Sequence, residues 1–161
     1  MTDATLNQFL SGWSCIKFNN TPHGMDPVEF AEKASNEGYS DIDWPLIRLG
    51  EIHLIYAEAC MHAGGSASSQ LAALAERAGV EAPAEVSEEW LMAERARELM
   101  WEAHRRTDLI RYGKWISGYN WTYKGGNFGG QKLPEHFNIF PVPSTELATN
   151  LDLQQNPGYA R

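Results

Sequence analysis

The strongest constraint on this chain is a long stretch that nothing interrupts. Between Ser87 and Gly113 there is neither Pro nor Gly, and strong helix formers fill most positions. Ser87 suits an N-cap, and Glu88 and Glu89 follow it where a helix dipole favours negative charge. Arg105, Arg106 and Arg111 crowd the far end, and Gly113 suits a C-terminal stop. The stretch predicts one continuous helix of about six turns. Its charges are ordered. Glu94, Glu98 and Glu102 recur by four and form one stripe, with Arg95, Arg97, Arg105 and Arg106 three or four residues from them. Asp108 has the same spacing from Arg105 and Arg111. Glu94, Arg95, Glu98, Glu102, Arg105, Asp108 and Arg111 are therefore expected to form a structural ion-pair network. Leu91, Leu99, Trp101, Leu109 and Ile110 put apolar matter on more than one side, which predicts neighbours on several faces.

Upstream, Asp43-Trp44-Pro45 reads as a helix start, with an acidic cap and Pro near the first helical position. From Leu46 to Ala63 the apolar residues Leu49, Ile52, Tyr56, Ala59 and Ala63 recur at helical period, and Leu54 and Ile55 widen the stripe. Gly64-Gly65 ends this helix. Ser66 to Ala78 reads as a second, Ala-rich helix stopped at Gly79. The short connection predicts an antiparallel helical hairpin. Residues 1–45 read as irregular or extended, with a short strand possible at Trp13–Phe18 and a turn or two of helix in residues 28–35. Residues 46–113 form a three-helix core. Residues 114–161 form a loop-rich C-terminal segment packing on those helices: an aromatic, Gly-rich loop, then a Pro-rich tail in which Pro141 and Pro143 force an extended course. Ser144 is read as the cap of one more helical turn.

A length of 161 residues allows one ordinary domain. The formal net charge of −8 argues against a nucleic-acid partner, because a phosphate-binding face needs an excess of Lys and Arg. No run of about 18 apolar residues exists, and the N-terminus lacks the charged start and apolar core of a signal peptide. The two cysteines, Cys15 and Cys60, are too few for a disulfide framework, and Cys60 is expected to pack as a small hydrophobe.

Four stretches together resemble the SusD/RagB family of nutrient-binding outer-membrane lipoproteins. The first runs from Asp43-Trp44-Pro45 through Ile47-Arg48, Glu51, Leu54 and Ala57-Glu58-Ala59. The second is Arg77-Ala78-Gly79. The third is Glu94, Arg95, Glu98, Leu99, Glu102, Arg105, Asp108, Leu109 and Arg111 at the family's spacing. The fourth joins Phe140-Pro141-Val142-Pro143 and Glu146 to Gln155-Asn156-Pro157-Gly158-Tyr159. Order and spacing agree over residues 40–159. Ala103 stands where the family usually has Gly, Gly50 where a larger residue is common, and Asn150-Leu151 where Asn-Pro is usual; none of these alters the logic of the pattern.

The resemblance implies a mainly α fold with a tetratricopeptide-like hairpin, a third long helix and extended loops. It also implies a role without catalysis: capture of an oligosaccharide or other nutrient at the outer-membrane surface, as the lid partner of a SusC-like TonB-dependent transporter. No cofactor is implied, and the membrane is met only through a lipid anchor absent from this chain. Family members are several times longer, so the match implies a C-terminal part or a short paralogue. The alternative is a stand-alone helical scaffold of tetratricopeptide type that binds protein.

Tyr119, Trp121, Tyr123 and Phe128 lie among Gly residues in the loop after the third helix. Sugar rings have apolar C–H faces, and Tyr or Trp offers them a rigid platform with a polar edge. These four are the candidate ligand-binding residues; packing on the helices is the competing role. Carboxylates four apart on a helix stand roughly 6 Å from each other, near the separation used in sugar hydrolysis. Arginines spaced to neutralise Glu94, Glu98 and Glu102 argue against a general acid there, so no catalytic residue is assigned. Glu58, His62 and His53 share a helix but do not reach metal-site number or spacing, so no metal is assigned. Gly125-Gly126 and Gly129-Gly130 lack the context of a phosphate loop, and Asn120-Trp121-Thr122 has the form of a glycosylation acceptor.

Overall fold

The computed structural model describes residues 17–18, 24, 26, 28–29 and 42–160. Among them the regular elements are helices, in keeping with the mainly α class. The chain forms two compact units, Met1–Ala84 and Glu85–Arg161. The strand expected at Trp13–Phe18 lies outside the described residues except for Lys17 and Phe18, which sit in a turn. Val28 and Glu29 are helical, and Asp26 Oδ1 accepts their backbone N–H groups at 2.8 and 3.3 Å; the rest of 28–35 is outside the described residues.

In the first unit, helix α1 (Leu49–Ala63) packs against α2 (Ser68–Ala78). The start of α1 is later than expected. Arg48, not Asp43, is its N-cap, and the first acid inside it is Glu51. The face of α1 that is buried also differs. Leu54 and Ala57 are buried, whereas Leu49, Ile52, Ile55 and Tyr56 remain exposed. Ala57 is small, and α2 contributes Leu71, Leu74 and Ala75 to the core. Gly64 and Gly79 end the helices in left-handed conformation, as read.

In the second unit, Ser87 caps α3 (Glu88–Glu98): its Oγ accepts the Trp90 N–H at 3.1 Å. The continuous helix expected through to Gly113 does not form. The chain turns over residues 99–104 and restarts as α4 (Arg105–Arg111). Trp101 and Ala103 both have positive φ, 65° and 63°. The break is a tertiary override of helix propensity. It buries Leu99, Glu102 and Leu109, and it brings Arg95 of α3 onto Asp108 of α4. On one straight helix those two residues would lie roughly 20 Å apart, at about 1.5 Å per residue. At the end of α4, Gly113 has φ 67°, with its N–H on Ile110 O and the Lys114 N–H on Leu109 O, so the last carbonyls are satisfied.

Ala103 stands where the family resemblance has Gly, and the left-handed backbone gives that departure a cost. An L side chain there loses about 1–2 kcal/mol, of which Gly recovers all but its own entropy of about 0.5–1 kcal/mol. Ala103→Gly should therefore stabilise the chain by about 0.5–1 kcal/mol, read as a higher urea midpoint. A lower midpoint would contradict this account of the turn.

The remainder is irregular. Short 3₁₀ turns cover Lys124–Gly126 and Glu135–Asn138, and α5 spans Ser144–Thr149. Pro143, not Ser144, is the N-cap of α5.

Candidate functional site

The aromatic loop follows α4 and closes on itself. Ile116 and Leu133 are buried at its base, and the Leu133 N–H donates to Ile116 O at 3.0 Å. Asn120 Nδ2 donates to Gly129 O at 2.8 Å, the Tyr123 N–H to Phe128 O at 3.3 Å, and Gln131 Nε2 to Gly125 O at 2.7 Å. A glycine-rich sequence is thus given a fixed course by its polar side chains.

The four aromatic residues read from the sequence fall into two groups. Trp121 is half-buried and occupied. It stacks on Trp115, centroids 5.5 Å apart, and the Lys124 ammonium lies 4.7 Å from its ring. Tyr119, which is 37% exposed, leans on Trp121 at 6.1 Å, and the Arg105 guanidinium lies 4.7 Å from its ring, so it is braced on one side and open on the other. Tyr123 and Phe128 face outward. They meet edge to face at 5.5 Å and are 47% and 57% exposed, so their apolar surface is open to a ligand.

Lys124 has no counterpart in the sequence-based assignment. Its side chain is 2% exposed and donates to the Tyr119 carbonyl at 2.5 Å. Burial pushes its pKa down from the ordinary 10.5. The available signal was a lysine set directly among aromatic residues, the arrangement that a cation–π contact needs.

The charged residues of the long stretch are placed as follows. Arg97 Nη2 meets Glu94 Oε2 at 2.6 Å, at the helical spacing. Arg95 Nε donates to Asp108 Oδ1 at 2.8 Å, with both side chains buried, and Arg111 Nη2 is 3.6 Å from the same oxygen. Arg105 donates instead to the Met92 carbonyl at 2.8 Å, and Arg106 to the Phe137 carbonyl at 2.8 Å. Their expected reach to Glu102 depended on an unbroken helix. Glu102 lies beyond the end of α3 and is buried, so it no longer continues the stripe of Glu94 and Glu98. No cluster of three or more His, Cys, Asp or Glu stands at metal-binding geometry among the described residues.

The tie to the C-terminal tail runs through Arg106, which also covers the Phe140 ring at 3.9 Å. The Trp115 indole N–H shares the Phe137 carbonyl at 3.0 Å. The tail then reads the backbone of the Pro-flanked segment. Gln155 accepts the Val142 N–H at 2.8 Å and donates to its carbonyl at 3.0 Å. Asn156 Nδ2 donates to Phe140 O at 2.7 Å, and the Tyr159 hydroxyl donates to Ile139 O at 2.8 Å. Pro141 and Pro143 have no N–H to offer a sheet, and the side-chain amides take the place of a neighbouring strand.

This arrangement defines a helical protein whose second unit is tied together by side-chain hydrogen bonds and leaves Tyr123 and Phe128 of the aromatic loop exposed. A family model described as the SusD family matches residues 2–159, and the chain belongs to that family. It is similar to the starch-binding protein SusD of Bacteroides thetaiotaomicron, with 36% identity over 160 residues that cover 98% of this chain. The chain spans 28% of that relative's length.

Proposed function

We propose that this chain is part of a SusD-like protein that binds glycans at the bacterial outer-membrane surface and hands them, as a lid, to a TonB-dependent transporter of SusC type. The relative named as a starch-binding protein supports the ligand class, and it is named for binding rather than for turnover. A lipid anchor would hold the protein at the surface; no helix among the described residues is long and apolar enough to cross a membrane. The observation that carries the ligand reading is the Tyr123–Phe128 corner. Two aromatic faces stand open on a loop fixed by its own hydrogen bonds, so little ordering entropy is lost on binding. Trp121 supports the corner from within rather than forming the platform.

Maltoheptaose titrated into the chain by calorimetry tests this. Binding is expected, and Tyr123→Ala combined with Phe128→Ala should weaken it about tenfold or more, since losing one buried aromatic contact removes about 1.5–3 kcal/mol. Equal affinity in the double variant would remove the corner from the ligand site. Release of shorter sugars that is lost in Glu98→Gln would overturn the reading of a protein without turnover.

A further inference from the structure

Lys124 is the one lysine on the buried side of the aromatic loop, and its chemistry does not fit a purely packing role. An ammonium taken out of water is costly unless strong partners replace the solvent. Here the replacements are one carbonyl, Tyr119 O at 2.5 Å, and the face of Trp121 at 4.7 Å. Among the described residues it forms no ion pair with a carboxylate. An apolar side chain of similar length would sit there at lower cost. Its backbone is meanwhile the junction of the loop: the N–H donates to Trp121 O at 3.1 Å, and the carbonyl accepts from the Gln131 N–H at 3.1 Å. Tyr123, the next residue back, holds φ 67° and is exposed.

We infer that Lys124 is a positioning residue for the ligand-contacting face: its ammonium clamps the Tyr119 backbone and the Trp121 ring so that Tyr123 is presented outward beside Phe128. This rests on the glycan reading above for the ligand, but not for the clamp itself. The clamp predicts an unusual separation of effects. Removing the charge while keeping the bulk should leave stability intact and still disorder the aromatic face.

Lys124→Met and Lys124→Arg test it with three readouts. For Lys124→Met, the urea midpoint should stay level or rise, the near-UV circular dichroism of the tryptophans should fall, and maltoheptaose affinity should drop about tenfold. Lys124→Arg, which keeps a cation over Trp121, should restore the near-UV signal and part of the affinity. A near-UV spectrum of Lys124→Met that matches the unsubstituted chain would overturn the clamp. So would a collapse of its urea midpoint, because the residue would then be structural. If the unsubstituted chain fails to bind maltoheptaose, the glycan reading falls and the spectra still decide the clamp. If it binds and Lys124→Met binds equally well despite an altered spectrum, the clamp does not serve the ligand face.

Discussion

Asp108→Ala should destabilise the chain by about 3–5 kcal/mol, the effect expected when one partner of a buried ion pair is removed and the other stays behind. Asp108 is 2% exposed and Arg95 is 5% exposed, so water cannot take over the role of the lost carboxylate. The pair also spans the break in the helical stretch, with Arg95 on α3 and Asp108 on α4. Its loss would remove the main polar link between them. Urea unfolding followed by tryptophan fluorescence measures the change, and a loss under about 1 kcal/mol would show that the pair is energetically incidental. The double variant Arg95→Met with Asp108→Leu supplies the control. Replacing both charges by apolar groups of similar volume is often neutral or favourable, so it should lose much less than the sum of the single changes.

That pair also shows where the sequence could be read and where it could not. Most local signals held. Ser87 caps a helix, Gly64, Gly79 and Gly113 end helices, and Arg97 meets Glu94 at the spacing predicted. These depend on neighbours within one turn. Two local cap readings missed, since Arg48 rather than Asp43 and Pro143 rather than Ser144 stand at the N-caps, and the larger differences required a knowledge of what lies across space. Residues 99–104 have good helix formers, and only the burial of Leu99, Glu102 and Leu109 with the Arg95–Asp108 contact explains why the chain turns there. Ala103 hid the turn further, because a Gly at that position would have announced it. On α1 the apolar period identified a helix, yet apolar residues on several faces left the buried side undetermined, and Ala57 proved to be on it. In the loop, residue type marked Tyr119, Trp121, Tyr123 and Phe128 as one set. That only Trp121 is half-buried, and that Tyr119 is braced on one side, depends on Trp115, Arg105 and Lys124, which reach them through space.

Gly158→Ala should cost about 2–4 kcal/mol, from two sources acting at one atom. The residue has φ +90°, a conformation that costs an L side chain about 1–2 kcal/mol. A Cβ there would also stand 2.6 Å from Cγ of His136, close enough that the imidazole has to move, an overpacking cost of about 1–3 kcal/mol. The ring is not free to move cheaply. It packs edge to face on Tyr159 at 4.6 Å and on Phe137 at 4.8 Å, and the Phe137 carbonyl is where Arg106 and Trp115 both donate. Displacing His136 therefore loosens the tail where it joins α4. Adding His136→Gly to Gly158→Ala separates the two sources, since it removes all three clashing atoms, Cβ, Cγ and Nδ1, and leaves the backbone cost. The second substitution should then be less damaging in the Gly158→Ala background than alone. Thermal unfolding of the four variants of this cycle gives the coupling directly. Strictly additive losses would show that the Cβ and the ring never meet, and that the Pro-Gly-Tyr turn is held by its backbone alone.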